Sequence, residues 1–172
     1  MTPAVAIKTC FRKYIRFSGR ASRPEFWWFV LFVLVVGAVI TAVHGMIFGP
    51  SYEVTTGTTY HSDGTSEPFR TVSETYDGGP VGAIFSILTF LPLLAASWRR
   101  LHDTGRPGWM LLLPHAIALI LIGLALVTSS SVIGLIAFVA TLGSLVYVFI
   151  MLAQPSQPGP NKYGPNPNEV SP

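Results

Sequence analysis

The side chains best suited to chemistry are arginines that stand beside acidic and imidazole groups in two short segments. The first segment holds Arg20, Arg23 and Glu25, and the second holds Arg99, Arg100, His102, Asp103 and Arg106. Guanidinium groups present planar, forked donors that match phosphate oxygens. Because five arginines face only two carboxylates, these segments predict a site for an anionic phospholipid headgroup or a lipid-linked phosphate.

A purely structural role is the competing interpretation of the same residues. Every polytopic membrane protein needs a basic belt that fixes its orientation and reaches toward lipid headgroups. In this interpretation Glu25, His102 and Asp103 are polar partners, and the two carboxylates pair with neighbouring arginines to hold the segments together. The turn Gly105-Arg106-Pro107-Gly108 favours the binding site, because such a turn aims Arg106 in one direction.

An enzymatic interpretation rests on the adjacent pair His102 and Asp103, which could act as a base and its orienting carboxylate. No partner nucleophile accompanies them, and Glu169 is the one further acid in the tail. Interfacial phosphatases and phosphotransferases generally need several carboxylates on a metal ion, or an activated nucleophile. We therefore expect no catalytic residue, metal ion or cofactor, with an interfacial enzyme acting on a lipid-linked phosphate kept as an alternative.

Long apolar runs must position these side chains. Of the 172 residues, 50% are hydrophobic and 11% are charged, against about 25% charged residues in an ordinary soluble domain. The apolar residues form uninterrupted runs at about 26–48, 80–97, 109–127 and 132–153. A helix rises about 1.5 Å per residue, so such runs match a hydrocarbon core about 30 Å thick. The predicted fold is therefore an all-α membrane protein with four transmembrane helices in a domain of residues 26–153.

Prolines and a polar turn add detail to the runs. Pro92 and Pro114 lie within the second and third runs, where proline predicts a kink. Residues 128–131 read Thr-Ser-Ser-Ser, which is just long enough for a tight turn. The third and fourth helices should therefore form an antiparallel hairpin.

Charge predicts that both termini lie in the cytoplasm. Six Lys/Arg precede the first run against Glu25 alone, whereas the connector 49–79 carries five acids against Arg70. Since cytoplasmic segments are enriched in Lys and Arg, residues 49–79 form the predicted outer loop. Tryptophans favour membrane boundaries, and four are predicted anchors at the cytoplasmic boundary: Trp27, Trp28, Trp98 and Trp109.

The segment of residues 1–25 is basic and amphipathic. Between Ala4 and Phe17, apolar residues alternate with four cations, which predicts a short helix lying in the cytoplasmic headgroup layer. Residues 22–25 have the form of a capping box, with Ser22 at the helix start and Glu25 reaching back. The box marks where the first span begins.

The outer loop and the tail are the remaining polar segments. Residues 52–60 alternate Thr with Tyr and Val and could pair as a hairpin, but an isolated hairpin is marginal in water. A solvated, mobile connection is therefore the favoured interpretation. The Pro-rich cytoplasmic tail, residues 154–172, is predicted to be extended, and Tyr163 could anchor it on the basic belt.

His44, His115 and Cys10 are the other reactive side chains. The two histidines lie in different spans, and counting residues places them roughly 15 Å apart in depth, too far for a shared metal site. Each is predicted to be neutral and hydrogen-bonded. Cys10 is the one cysteine, so it cannot form an intramolecular disulfide and should pack as a small apolar residue.

Three segments carry a recognisable signature: FSGRASRPEFWWF at 17–29, SWRRLHDTGRPGW at 97–109 and PGPNKYGPNP at 158–167. Together they resemble the bacterial inner-membrane family catalogued as domain of unknown function eight-hundred-and-five. The resemblance covers nearly the whole chain and departs from the family in the long outer loop, which is rich in Thr and Ser. It implies a multi-span protein of the bacterial inner (plasma) membrane, and it brings no established activity or catalytic residue.

The sequence therefore predicts a non-catalytic module that binds membrane lipids, above all anionic phospholipid, or a protein partner at its cytoplasmic face. A homo-oligomer is also possible. Nucleic acid is not an expected partner, because the basic residues sit beside the apolar runs. The alternative of a small transporter or flippase component needs polar groups at the membrane midplane, and His115 and a few hydroxyls are sparse for that role.

Overall fold

The computed structural model describes residues 1–61 and 64–169; Asp63 of the outer loop and the last three residues of the tail lie outside these ranges. The elements are α1 (Pro3–Arg12), α2 (Arg23–Phe48), β1 (Ser51–Tyr60), β2 (Ser66–Thr75), α3 (Gly79–Asp103), a 3-10 turn (Gly108–Leu111), α4 (Leu113–Thr128) and α5 (Ser131–Ala153). They form two compact units. The loop unit is Val33–Thr89, and the terminal unit contains Met1–Phe32 and the chain from Phe90 onward.

Four helical segments are long and apolar enough to cross a membrane, as predicted: Arg23–Phe48, Gly79–Asp103, Gly108–Thr128 and Ser131–Ala153. Most of their large apolar side chains are exposed, which suits contact with lipid tails. One boundary differs from the prediction. The helix α3 continues past Ser97 to Asp103, so Arg99, Arg100 and Asp103 lie on its last turns and not in a loop.

The two prolines have different roles. Pro92 lies inside α3 and is fully buried. Pro114 lies in the first turn of α4, where a backbone N–H would have no partner within the helix. The proline therefore lies at the start of a helix, and the kink predicted at this position is not formed. The turn between α4 and α5 is tight as predicted, with Ser129 at φ 50° and the Ser130 hydroxyl accepting from the Ile133 amide at 3.4 Å.

The helix α1 is shorter than the predicted segment of residues 4–17. It ends at Arg12 and buries Ala6, Thr9 and Cys10 against the rest of the terminal unit. The Phe11 ring packs edge-on against Phe29 of α2, with 5.4 Å between centroids. This helix is therefore attached to the protein along one face.

The outer loop forms a β-ribbon and not an irregular connection, while almost all of its strand residues are exposed, as expected of a solvated loop. The strands β1 and β2 pair antiparallel along their full length, from Ser51 opposite Thr75 to Tyr60 opposite Ser66. Val54 lies opposite Val72, and the Phe69 ring covers Gly57. The hairpin suggested within residues 52–60 is instead formed with the second half of the loop, where Phe69, Thr71, Val72 and Thr75 also favour strand. Ten paired residues per strand exceed the short hairpin considered above.

Candidate functional site

Arg20 lies buried at the centre of a polar cluster, with only 1% of its side chain exposed. Its Nε donates to Asp103 Oδ1 at 2.8 Å. Its terminal nitrogens donate to the backbone carbonyls of Gln157 at 2.6 Å and Gly159 at 2.8 Å. One guanidinium therefore joins the segment before α2 to the end of α3 and to the tail.

Asp103 accepts from a second arginine and from a hydroxyl. Arg100 pairs with Asp103 Oδ2, and both side chains are fully buried. Ser156 Oγ donates to the same oxygen at 2.5 Å. Arg100 Nε also donates to the Leu152 carbonyl at 2.9 Å, where a cation suits the negative end of the α5 dipole. A carboxylate this deeply buried requires such partners, because an unpaired buried charge is strongly unfavourable.

Arg99 and Glu25 form a third buried ion pair. Arg99 Nη2 donates to Glu25 Oε1 at 3.0 Å, and Nη1 donates to the backbone carbonyl of Arg16 at 2.7 Å. The predicted capping box is partly formed: the Glu25 amide donates to Ser22 Oγ at 3.4 Å, while the Glu25 carboxylate binds Arg99. This ion pair ties α2, α3 and the segment after α1 together.

The five predicted anion-binding arginines are therefore not equivalent. Arg20, Arg99 and Arg100 donate to the protein's own carboxylates and carbonyls, as the structural interpretation expects. Arg23 is exposed, and its Nε donates to the Gln154 carbonyl at 2.9 Å. Arg106 is partly buried, and its Nη1 has no hydrogen-bond partner. The internal pairing in this cluster accounts for the acidic residues that accompany the arginines.

His102 and Asp103 have separate partners. His102 Nδ1 lies 3.1 Å from the Gly19 carbonyl oxygen, and its ring stacks on Tyr163 with 3.7 Å between centroids. The Asp103 carboxylate is bound to arginines instead. The aspartate therefore does not orient the histidine as a general base requires, and the suggested anchoring of the tail by Tyr163 is confirmed.

The described part of the tail, residues 154–169, is folded against α3 and the segment before α2, so the extended conformation predicted for it was wrong. The Gln157 amide donates to the Asp103 carbonyl at 2.8 Å, and Asn161 Nδ2 donates to the His102 carbonyl at 2.9 Å. Asn166 is buried and donates to Glu169 Oε1 at 2.7 Å. Asparagine side chains stabilise turns by bonding nearby backbone, and here Asn161 also binds the tail to α3.

The predicted tryptophan anchors have two kinds of environment. Trp28 and Trp109 are 37% and 53% exposed, as an anchor in the headgroup layer requires. Trp27 packs against Phe149 at 5.2 Å between centroids. Trp98 is half-buried within the terminal unit, where its ring lies against Gly108 and leaves no room for a Cβ there. Trp98 therefore contributes to packing.

A basic cleft lies between the segment after α1 and the tail. Its volume is about 230 Å³, and its walls are formed by Lys13, Arg16, Ser18, Gly19 and Arg20 on one side and by Tyr163, Gly164, Pro165 and Pro167 on the other. We call it the tail cleft. Sequence reasoning named Arg20 but did not assign Lys13 or Arg16 to a site. No sequence signal could pair them with a tail about 150 residues away.

Cys10 is buried on α1, with its Sγ 3.7 Å from the Glu25 carbonyl. Burial raises the pKa of the thiol to about 12, and the negative charge of Glu25 acts in the same direction. A thiol with this pKa stays protonated and unreactive near neutral pH. Cys10 therefore packs as a small apolar residue, as predicted.

The two span histidines have local partners. His44 Nδ1 lies 3.9 Å from Asp77 Oδ1 in the loop unit, and its ring contacts Phe48. His115 Nδ1 lies 3.0 Å from the Leu111 carbonyl in the terminal unit. Within the described ranges, no three His, Cys, Asp or Glu side chains are arranged to hold a metal ion.

Four membrane-capable helices and a buried arginine–carboxylate cluster define an integral membrane protein of helical type. The family model described as "Protein of unknown function (DUF805)" matches residues 14–165, and the chain belongs to that family. The match includes the three buried ion pairs and the folded tail up to Pro165.

Two relatives from Escherichia coli (strain K12) are named inner membrane proteins. Inner membrane protein YhaH is 30% identical over 156 residues, covering 91% of this chain and 90% of the relative. Inner membrane protein YhaI is 33% identical over 102 residues, covering 59% of this chain and 64% of the relative, so the chain spans less than two thirds of that protein. No solved structure matches the chain.

Proposed function

We propose that this protein is a non-catalytic membrane module whose termini lie in the cytoplasm and whose basic face binds anionic phospholipid headgroups. The positive charge that precedes α2 supports this orientation, since Lys and Arg are enriched on the cytoplasmic side. The separate partners of His102 and Asp103 support the absence of catalysis. The cations that remain accessible support lipid binding.

The exposed side chains of residues 5–16 carry the proposal. Lys8, Arg12 and Arg16 are exposed, and so are the apolar side chains of Val5 and Ile15, which are 51% and 69% exposed. The other face of α1 is buried in the protein. A helix with apolar and cationic side chains side by side suits the boundary between headgroups and acyl chains. It would lie in the cytoplasmic headgroup layer as an interfacial helix.

Orientation is tested by labelling single cysteines in intact cells with a membrane-impermeant maleimide. In a Cys10→Ala background, Thr58→Cys on β1 should be labelled from outside. Lys8→Cys on α1 should be labelled only after the membrane is permeabilised. Labelling of Lys8→Cys in intact cells would overturn the orientation.

Lipid binding is tested by native mass spectrometry of the solubilised protein, comparing retained phosphatidylglycerol with retained phosphatidylcholine. Each cation near a membrane surface contributes about 1 kcal/mol to attraction by anionic lipid. The double variant Lys8→Ala, Arg12→Ala should therefore bind phosphatidylglycerol roughly 30-fold more weakly.

Arg70→Ala is the matched control, because Arg70 is an exposed cation on β2, in the proposed outer ribbon. It should leave phosphatidylglycerol retention unchanged. Equal retention by the wild type and the double variant, or an equal loss in the control, would contradict the proposal. The protein partner or second copy considered above would then be the better candidate.

A further inference from the structure

The tail cleft is enclosed by two segments that are distant in the chain. One wall is formed by residues 13–20, and the other by Tyr163, Gly164, Pro165 and Pro167. The tail wall is held in place by bonds from Arg20 to Gln157 and Gly159. A ligand in the cleft would therefore contact both segments at once.

The charged side chains that line the cleft are all cationic. They are Lys13, Arg16 and Arg20, and the lining contains no Asp or Glu. Lys162 lies beside the cleft, with Nζ 5.0 Å from the centroid of the Tyr163 ring. Lys13 Nζ pairs with the Glu25 carboxylate at 3.7 Å, and Arg99 binds the same carboxylate, so Glu25 is shared between two cations. Low-dielectric walls around a group of cations focus their electric field on an anion that enters the cleft.

The three lining cations have different roles. The nitrogens of Arg20 already donate to Asp103 and to the tail carbonyls, so Arg20 supplies positive potential and not new hydrogen bonds. Arg16 is exposed, and its Nε lies 3.5 Å from Ser18 Oγ. The side chain of Lys13 is 26% exposed. Direct contacts to an anion would come from Arg16, Lys13 and the Ser18 hydroxyl.

The volume of the tail cleft and the charge of its lining limit which ligands it can hold. The cleft holds about 230 Å³, which is below the range of about 300–1,000 Å³ for pockets that hold organic ligands. It suits a compact anion. A phosphomonoester carries about −1.5 to −2 charge at pH 7 and presents three acceptor oxygens. The two cations with accessible donors, Lys13 and Arg16, match that charge better than they match a phosphodiester with one negative charge.

We propose that the tail cleft binds one phosphomonoester group and that the bound phosphate fastens the tail to the segment after α1. This inference deepens the proposed function and rests on it, because the cleft lies on the same basic face. The phosphate could belong to a lipid such as phosphatidic acid or to a soluble phosphate compound, and the chemistry of recognition is the same.

Hydrogen exchange of the full-length protein in nanodiscs tests the proposal. Phosphatidylcholine nanodiscs are compared with and without phosphatidic acid, and separately with inorganic phosphate added. Tail amides such as those of Gln157, Gly159 and Gly164 should become more protected. Protection by inorganic phosphate in neutral nanodiscs would support a soluble source, and protection by phosphatidic acid alone would support a lipid source.

Arg16→Gln should weaken the apparent affinity for the effective probe about tenfold or more, since a charge-assisted contact is lost. Its side chain is exposed, so the substitution leaves the buried ion pairs in place. Arg70→Gln is the control, because Arg70 is an exposed cation on β2 that neither lines the cleft nor belongs to the proposed lipid-binding surface. It should leave the apparent affinity unchanged, and an equal loss in both variants would overturn the proposal, since the effect would then not depend on the cleft.

Unchanged tail protection with both probes would also overturn it. If phosphatidylglycerol retention still depended on Lys8 and Arg12, the proposed lipid-binding function would stand without the cleft. If that dependence were absent as well, both would be refuted.

Discussion

The ring of Tyr163 lies parallel to that of His102, with centroids 3.7 Å apart and an angle of 2° between their planes. The contact joins the tail to the last turn of α3, and the Asn161 side chain reinforces it with a bond to the His102 carbonyl. Stacking of this kind contributes about 0.5–1.5 kcal/mol beyond burial. It makes the tail a structural part of the terminal unit.

Tyr163→Ala should loosen the tail. Loss of the stacking energy predicts amide exchange in residues 157–166 that is roughly two- to tenfold faster. Tyr163→Phe keeps the ring and should exchange like the wild type. Hydrogen exchange followed by mass spectrometry checks both variants, and an unchanged rate in Tyr163→Ala would mean that the stack does not hold the tail.

Asp103→Asn should strongly destabilise the protein. It leaves Arg20 and Arg100 buried without a negative partner, which costs about 3–5 kcal/mol of folding free energy. Unfolding of the purified protein in detergent, followed by circular dichroism, measures the loss. Glu53→Gln, an exposed change on β1, should stay within about 0.5 kcal/mol of the wild type. Equal stability of the two variants would refute the assigned role of Asp103.

Gly108→Ala should destabilise the terminal unit by about 1–3 kcal/mol, because the new methyl group would overlap the Trp98 ring. Gly123→Ala is the matched control, since no atom lies within 4 Å of a Cβ added there. Adding Trp98→Leu to Gly108→Ala should recover part of the loss, as expected for residues in contact. Strictly additive effects of the two changes on thermal unfolding would contradict this packing.

Cys10 should resist alkylation in the folded protein. Its pKa, raised from 9.0 to about 12, keeps the thiol protonated at pH 8. The unfolded chain loses this proton near pH 9 and the folded one near pH 12, so the free energy of unfolding should fall as pH rises through that window. Maleimide labelling at pH 8 should be slow in mild detergent and fast in SDS. The exposed control, Thr58→Cys in a Cys10→Ala background, should react rapidly in mild detergent and in SDS. Rapid labelling of the folded wild type would refute the prediction.

The register of the ribbon predicts a disulfide. Val54 lies opposite Val72, and directly paired residues have Cα atoms about 4.5–5.5 Å apart, within the range of a disulfide. Val54→Cys with Val72→Cys should therefore cross-link on mild oxidation of the purified Cys10→Ala protein. Val54→Cys with Ser73→Cys should not, because neighbouring residues on a strand point to opposite faces. Mass spectrometry of a proteolytic digest distinguishes the two results.

The spans could be predicted because each carries its own signal: about 20 apolar residues are enough to identify a membrane helix without knowledge of its neighbours. The partners of Arg20 could not be predicted from the sequence, because its hydrogen bonds to Asp103 and Gln157 join residues that are 83 and 137 positions apart. The arginines outnumber the acidic residues, which suggested that some of them have no partner within the protein. Backbone carbonyls, however, accept hydrogen bonds from several of these arginines. The ribbon could not be predicted from residues 52–60 alone, because its stability depends on pairing with residues 66–75.

The hydrogen bonds of Arg20 also determine when its polar cluster can be completed during synthesis of the chain. Gln157, which accepts from Arg20, is synthesised 137 residues later, a delay of roughly 7–27 s at ordinary translation rates. Until Gln157 has been made, the terminal nitrogens of Arg20 that bind the tail must remain hydrated or bound by other acceptors, while α2, α3 and α4 enter the membrane. The tail therefore completes a cluster that begins in a segment made much earlier. A chain truncated before Gln157 would leave those nitrogens without the tail carbonyls that they bind in the folded protein.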